Sequence, residues 1–243
     1  MHISEGVLSL PVIAGGWALG AAGVAVGLKK TPAEEVPKTA LVSAALFLAS
    51  LVHVPVGPSS IHLTLLGLAG YLLGWSAVPA LFAALLLQGL LFQFGGLLSL
   101  GANTTIMGAA ALAGYAMRLL TVSSGQCVVG STRSSRNTNS NADDIVSTDI
   151  PDTKPETGNQ KPATPKKLFT THYPLFTFLA GFLAVIAGSS LVVLALVLSA
   201  GNLRTTAALI FAANVPLALV EGALTLFIML FLLKVKPDVL KRA

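Results

Sequence analysis

The chain is a succession of long apolar runs, separated by segments that hold most of its charges and prolines. A helix needs about 20 apolar residues, within a range of about 17–25, to cross the hydrocarbon core of a bilayer. We therefore predict an all-α, polytopic membrane bundle of about seven transmembrane helices. The apolar runs cover approximately residues 10–28, 40–54, 61–74, 78–94, 103–120, 174–199 and 205–233.

The second and third runs are short for a full crossing. The second stops at the Pro-Val-Gly-Pro sequence of residues 55–58, and the third resumes after Ser59 and Ser60. We expect both to form helices that stop inside the protein, since non-helical backbone at membrane depth is tolerated beside protein or a cavity. The third run is either a crossing or a re-entrant segment.

Composition supports a lipid environment for most of the chain. Of its 243 residues, 54% are hydrophobic and 10% charged, against roughly 25% charged in soluble domains. The Ser-, Asn- and Pro-rich stretch 121–171 is different, because it has few apolar residues with which to fold. We predict a disordered cytoplasmic linker there, between a membrane domain at 1–120, containing the candidate site, and a membrane domain of two helices at 172–243.

The basic residues predict the orientation, because cytoplasmic loops are enriched in Lys and Arg. If the chain crosses seven times, with its N-terminus outside and its C-terminus in the cytoplasm, only Arg204 lies on the outer side. The inner side then holds Lys29, Lys30, Lys38, six linker residues, Lys234, Lys236, Lys241 and Arg242. The net charge of +5 comes with no basic helix or aromatic-interleaved patch, so we expect no nucleic-acid partner. We also expect no cleaved signal peptide, because the first charged residue is Glu5.

Three of the four histidines gather at one predicted face of the membrane: His2, His53 and His62. The α-amine of Met1, the amide nitrogen of His2 and the Nδ1 of its imidazole can chelate one ion, closing a five-membered and a six-membered ring. A nitrogen from His62 completes a square-planar site, a geometry that suits nickel(II) or copper(II). This chelate requires that Met1 is retained, which the bulky His2 favours.

Ordinary roles compete with these ligand roles on spacing alone. His53 is a helix-end residue or a ligand that the ion meets on its way in, and His172 is an interfacial residue. Glu221 lies inside the last run, where an acidic residue is costly and faces the bundle interior. It forms either a structural hydrogen-bonded knot or, with Asn214 and Pro216, part of a substrate path. Small-residue pairs such as Gly16 and Gly20 predict close helix packing within the chain.

Four ordered motifs resemble the CbiM/NikM proteins, the substrate-binding (S) components of energy-coupling factor transporters for cobalt and nickel. They are MHISEGVL at residues 1–8, VPVGPSSIHLTLLG at 54–67, LGANTTIMG at 100–108 and VPLALVEG at 215–222. The resemblance spans nearly the whole chain apart from the linker. It departs from the family pattern at Asn214, where we expect a histidine.

The resemblance implies a metal importer of the bacterial inner membrane, with Met1, His2 and His62 as ligands of Co²⁺ or Ni²⁺ and no prosthetic group. His53, Ser59, Ser60 and Asn103 are candidates for orienting or assisting these ligands. The implied partners are a transmembrane coupling (T) subunit, ATP-binding cassette ATPases and, as a further candidate, a small accessory membrane subunit. The chain has no phosphate-binding loop motif of its own.

Two other functional classes are weaker. A channel needs a continuous polar path with repeated weak sites, whereas the polar residues here crowd one end of the predicted bundle. A membrane enzyme needs a nucleophile–base arrangement, and none is evident in the sequence. Between metals, the motifs are slightly closer to the cobalt branch, which would serve cobalamin biosynthesis, while planar nitrogen chelation favours nickel.

Overall fold

The computed structural model describes residues 3–51, 53–56, 59–123, 173–199 and 204–235. Over these ranges the chain forms seven α-helices and one antiparallel hairpin, which confirms the all-α class and the expected number of helices. The elements are α1 Leu10–Lys30, α2 Val36–Ser50, β1 His53–Val56, β2 Ser59–His62, α3 Leu66–Leu73, α4 Ala77–Phe92, α5 Leu100–Ser123, α6 Tyr173–Ser199 and α7 Arg204–Val235.

Five segments are long and apolar enough to cross a bilayer: Leu10–Lys30, Leu66–Phe92, Leu100–Val122, Tyr173–Ser199 and Ala208–Val235. Large apolar side chains point outward from them, with Leu19 64% and Phe227 68% exposed. Apolar exposure on this scale is stable only where lipid or a partner covers it. The chain is a multi-pass membrane protein.

Helix α5 occupies the centre of the bundle, packed against α1, α3, α4 and α6, while α7 packs on α6 and α2 on α4. The short helix α3 ends at Gly74, whose φ of 58° breaks the helix before α4 begins. Residues of α2, α3, α4, α5, α6 and α7 share the larger apolar core. A smaller core joins the N-terminal segment, through Ile3 and Leu8, to α5, α6 and α7.

The predicted end of the second helix and the predicted start of the third helix are wrong. Helix α2 stops at Ser50, and the residues expected to continue it form β1, paired in register with β2 from His53 opposite His62 to Val56 opposite Ser59. Pro55 and Pro58 explain the difference. Proline lacks the N–H that a helix needs, and the residue before it favours an extended backbone.

Glycines allow the close helix packing that the sequence predicted. A Cβ added at Gly16 would lie 2.6 Å from the Ala102 Cα, and one at Gly70 would lie 1.7 Å from the Ala111 carbonyl oxygen. Both neighbours belong to α5, so these small residues serve packing within the chain. In lipid, where no hydrophobic effect drives helices together, such close backbone approach is a main source of stability.

The boundary expected between α5 and the linker needs a small correction. Helix α5 continues to Ser123, so the predicted linker residues 121–123 belong to it. The remaining linker positions, with Cys127 and His172, lie outside the described residues.

Candidate metal centre

The structure describes the predicted site residues unevenly. Met1 and His2 lie outside the described residues, and for His53, Ser59 and Ser60 only the backbone is described. His62 and Asn103 are described in full, and both are buried, with 3% and 2% of their surfaces exposed. The geometry of the site is therefore built from Ile3 onward and from the segment around His62.

The N-terminal segment enters the bundle and is held there by Asn103. Ile3 is fully buried. Its N–H donates to Asn103 Oδ1 over 3.0 Å, and its carbonyl oxygen accepts from Asn103 Nδ2 over 3.1 Å. One side chain thus satisfies both polar groups of a buried peptide segment, which would each be costly to leave unpaired. Asn103 positions the chain immediately after Met1 and His2.

A second contact fixes the N-terminal segment to the loop between α4 and α5. Glu5 Oε1 accepts a hydrogen bond from the Leu98 N–H over 2.8 Å. The Leu98 carbonyl oxygen accepts from the indole nitrogen of Trp17 over 3.0 Å, which ties the same loop to α1. Gly96 leaves the space that Glu5 occupies, since a Cβ there would lie 1.9 Å from the Glu5 Cγ.

His62 ends β2, at the point where the chain passes into the bundle towards α3. Its Nδ1 lies 3.1 Å from the Leu63 carbonyl oxygen. A carbonyl oxygen only accepts, so this contact requires the proton on Nδ1 and leaves the lone pair of a neutral imidazole on Nε2. The tautomer with its lone pair on Nε2 is the one that ligates a metal through that atom.

Glu221 of α7 reaches across the bundle to the segment that follows His62. Its Oε1 accepts from the Thr64 hydroxyl over 2.6 Å and also from the Thr64 N–H. Glu221 is fully buried, and its second oxygen has no hydrogen-bond partner among the described residues. The structural knot considered from the sequence is therefore present.

Asn214, where the family pattern led us to expect a histidine, lies two turns from Glu221 on the same buried stripe of α7. Its Nδ2 donates to the Ile210 carbonyl oxygen over 2.8 Å, and its Oδ1 has no partner within the described part of the chain. The Asn214 side chain therefore forms a local hydrogen bond with the backbone of its own helix and none with His62 or Asn103.

Sequence reasoning missed Thr64, and it considered Glu5 only as part of a motif and as the first charged residue. The Thr64 contact spans 157 positions and the Glu5 contact 93, and no local periodicity records such pairs. The signal for the Thr64 contact was Glu221 itself, because a carboxylate inside an apolar run needs hydrogen-bond donors.

Within the described ranges, no three His, Cys, Asp or Glu side chains come together. The predicted chelate uses two backbone nitrogens and two imidazoles, so it would not form such a group. The described part of the site consists of the clamped N-terminal segment and a buried histidine.

Family comparison gives the relationship directly. The model of the family described as "CbiM: Cobalt uptake substrate-specific transmembrane region" matches residues 2–140 and 161–239. The chain belongs to the CbiM family. Because that family is described as the transmembrane region of an uptake system, membership supports a transporter and argues against an enzyme.

Relatives with curated names share parts of this CbiM-family chain. A "Putative metal transport protein" of Haemophilus influenzae is 50% identical over 119 residues, covering 49% of this chain and 58% of that protein. A "Fused nickel transport protein NikMN" of Rhodobacter capsulatus is 36% identical, covering 42% and 31%. A "Cobalt transport protein CbiM" of Sorangium cellulosum is 38% identical, covering 47% and 56%. The matches span less than two thirds of each relative.

Two solved structures share the fold. A truncated transition metal transporter superposes with a TM-score of 0.70 at 23% identity, covering 96% of this chain and 99% of that one. A transition metal transporter superposes with a TM-score of 0.71 at 23% identity, covering 98% and 95%. The overall fold of this chain is therefore shared with proteins described as transition metal transporters.

Proposed function

We propose that this protein is the metal-binding S component of an energy-coupling factor importer in a bacterial inner membrane. It captures Co²⁺, or alternatively Ni²⁺, at the end of the bundle that carries the hairpin. The ligands are the Met1 α-amine, the amide nitrogen and Nδ1 of His2, and Nε2 of His62.

The observation that carries this proposal is the burial and double clamping of Ile3 by Asn103. Consecutive Cα atoms are 3.8 Å apart, so residues 1 and 2 begin within roughly 7 Å of the Ile3 Cα. Anchoring of Ile3 therefore limits how far the chelating groups can lie from the bundle interior. Restricting a chelating group before the ion arrives lowers the entropy cost of binding.

The His62 contact supports the fourth ligand. Protonation of Nδ1 towards Leu63 leaves Nε2 as the metal-binding nitrogen, and histidine ligands commonly donate their other ring N–H to a carbonyl oxygen in this way. His53 is the register partner of His62 in the hairpin, which supports a role for His53 in capture. Ser59 and Ser60, on the strand that leads to His62, remain candidates for orienting the site.

Delivery into the cell requires energy that this chain does not supply. The described bundle contains no nucleotide-binding domain, and the sequence has no phosphate-binding loop motif. We propose that a T subunit and ATP-binding cassette ATPases reorient the loaded protein. The description of the family by cobalt uptake supports cobalt as the first candidate, and we propose cobalamin biosynthesis as its use, whereas four nitrogen donors in a plane are chemically suited to nickel.

Calorimetric titration of the detergent-purified protein with Ni²⁺ and Co²⁺ tests the proposal. The comparison is between a native N-terminus and one extended by several residues before Met1. The extension converts the α-amine to an amide and so removes a ligand, and tight binding should be lost for both ions. The ion bound more tightly by the native form ranks first as the candidate substrate.

His62→Gln serves as the second arm, because it keeps a polar side chain and removes the imidazole. It should weaken binding while the native N-terminus is intact. Equal affinity with and without the extension would contradict the chelate, and equal affinity of His62→Gln would contradict the fourth ligand.

A further inference from the structure

Glu221 and His62 are bonded to opposite sides of one peptide group. The peptide between Leu63 and Thr64 offers its N–H to Glu221 Oε1 and its carbonyl oxygen to His62 Nδ1, 3.1 Å away. The two side chains come from elements separated by 159 positions in the chain, β2 and α7. A single rigid unit therefore connects a buried carboxylate to the candidate metal ligand.

The connection transmits orientation because a peptide group is planar. Resonance fixes its N–H and C=O in one plane, in opposite directions for the trans form. Once Glu221 holds the N–H, the direction of the Leu63 carbonyl oxygen is set as well. That oxygen accepts the Nδ1 proton, so the tautomer of His62 and the direction of its Nε2 are set in turn.

The surroundings leave the peptide little freedom to turn. The Thr64 hydroxyl donates to the same carboxylate oxygen over 2.6 Å, and both residues are buried, with Thr64 2% exposed. Leu65 follows with a φ of 50°, and α3 starts at the next residue. Gly67, one residue into α3, lies against α6, where an added Cβ would be 2.3 Å from the Ala180 carbonyl oxygen.

We propose that Glu221 is a positioning residue for metal binding, acting on His62 through the Leu63–Thr64 peptide. It plays the part that a carboxylate plays when bonded directly to a ligating histidine, with one peptide group inserted between them. The role needs a hydrogen-bond acceptor at Oε1 and no negative charge. Its consequence for metal affinity rests on the proposed function, whereas its effect on the His62 tautomer does not.

Two variants of Glu221 separate the acceptor from the charge. Glu221→Gln keeps an oxygen acceptor and removes the charge, while Glu221→Leu removes the acceptor at similar volume. Thr225→Val is the matched control, because Thr225 is a buried residue one turn further along α7 that has no hydrogen bond to Thr64. Melting temperature in detergent checks that each variant is folded.

The first measurement is the nitrogen-15 spectrum of histidine-labelled, metal-free protein at a pH where the imidazoles are neutral. His62→Gln identifies the signals of His62 by their loss. Wild-type protein should show the Nδ1–H tautomer, and so should Glu221→Gln and Thr225→Val. Glu221→Leu should show the other tautomer or a mixture. A wild-type His62 protonated on Nε2 would overturn the proposal without any variant.

The second measurement is the Ni²⁺ dissociation constant with a native N-terminus. Loss of an outer partner of a metal ligand typically weakens binding 10- to 100-fold, which is the change expected for Glu221→Leu. Glu221→Gln and Thr225→Val should stay within about threefold of wild type. Equal weakening by Gln and Leu would show that charge, and not the acceptor, matters, and the proposal would be wrong.

The two measurements also distinguish failure of this inference from failure of the proposed function. If wild-type protein binds neither ion, or His62→Gln binds as well as wild type, the metal site is elsewhere. The tautomer comparison still tests the peptide connection in that case. If binding requires His62 but Glu221→Leu changes neither tautomer nor affinity, the site stands and the positioning role is refuted.

Discussion

Replacing Asn103 with alanine removes the side chain that bonds both the N–H and the carbonyl oxygen of Ile3. A buried polar group left unpaired costs about 1–3 kcal/mol, so the two groups together give about 2–6 kcal/mol. Water entering the space vacated by the amide recovers part of this cost, which brings the expected penalty to about 2–4 kcal/mol. This free-energy cost destabilises the docked state of the N-terminal segment relative to the undocked state.

The fraction of protein with an undocked N-terminal segment measures this free-energy cost directly. A tenfold change corresponds to about 1.4 kcal/mol, so the undocked fraction should rise roughly 30- to 1,000-fold in Asn103→Ala. The assay is the rate at which the free α-amine is acylated in metal-free protein, because a reagent reaches a docked terminus only during local opening. Ni²⁺ affinity should fall in the same direction.

Thr105→Val is the matched control for this experiment. Thr105 lies on the same helix, and its hydroxyl donates to the Gly16 carbonyl oxygen over 2.8 Å without touching the N-terminal segment. It should leave the acylation rate unchanged. A folded Asn103→Ala protein that is acylated within about threefold of the wild-type rate would refute the clamp, and with it the main structural support for the N-terminal chelate.

Further predictions concern the chelate, the linker and helix packing. His2→Ala should abolish tight binding in calorimetry, because it removes the imidazole and one chelate ring; an unchanged dissociation constant would move the site elsewhere. Deleting residues 132–164 should leave binding intact, and a folded deletion that no longer binds would give the linker a part in the site. Gly70→Ala should lower the melting temperature by about 2–10 °C, since overpacking costs about 1–3 kcal/mol and its Cβ would lie 1.7 Å from the Ala111 carbonyl oxygen. Gly15→Ala, with nothing within 4 Å, should not lower the melting temperature, because alanine is the better helix former; an equal loss in both would reject the packing argument.

The motifs placed His62 and Asn103 in the candidate site before any contact was known, and both are buried in the bundle. They did not reveal what either residue bonds to. Asn103 forms hydrogen bonds with backbone groups of Ile3. Nearly every residue type carries such groups, so residue type does not identify this partner. Likewise, the partner of Glu221 is a peptide N–H and a threonine hydroxyl, so no second charged residue in the sequence identified the pair.

The sequence by itself determined the membrane bundle, most helix positions and the inward use of Gly16 and Gly70. These features follow from hydropathy and from side-chain size, which act over one or two turns of the chain. The tertiary structure alone decided that residues 53–56 pair with residues 59–62, that Ile3 is clamped by Asn103, and that Glu221 holds the peptide beside His62. The last two contacts join positions 100 and 157 residues apart. They exist because buried polar groups must find partners wherever the folded chain brings them.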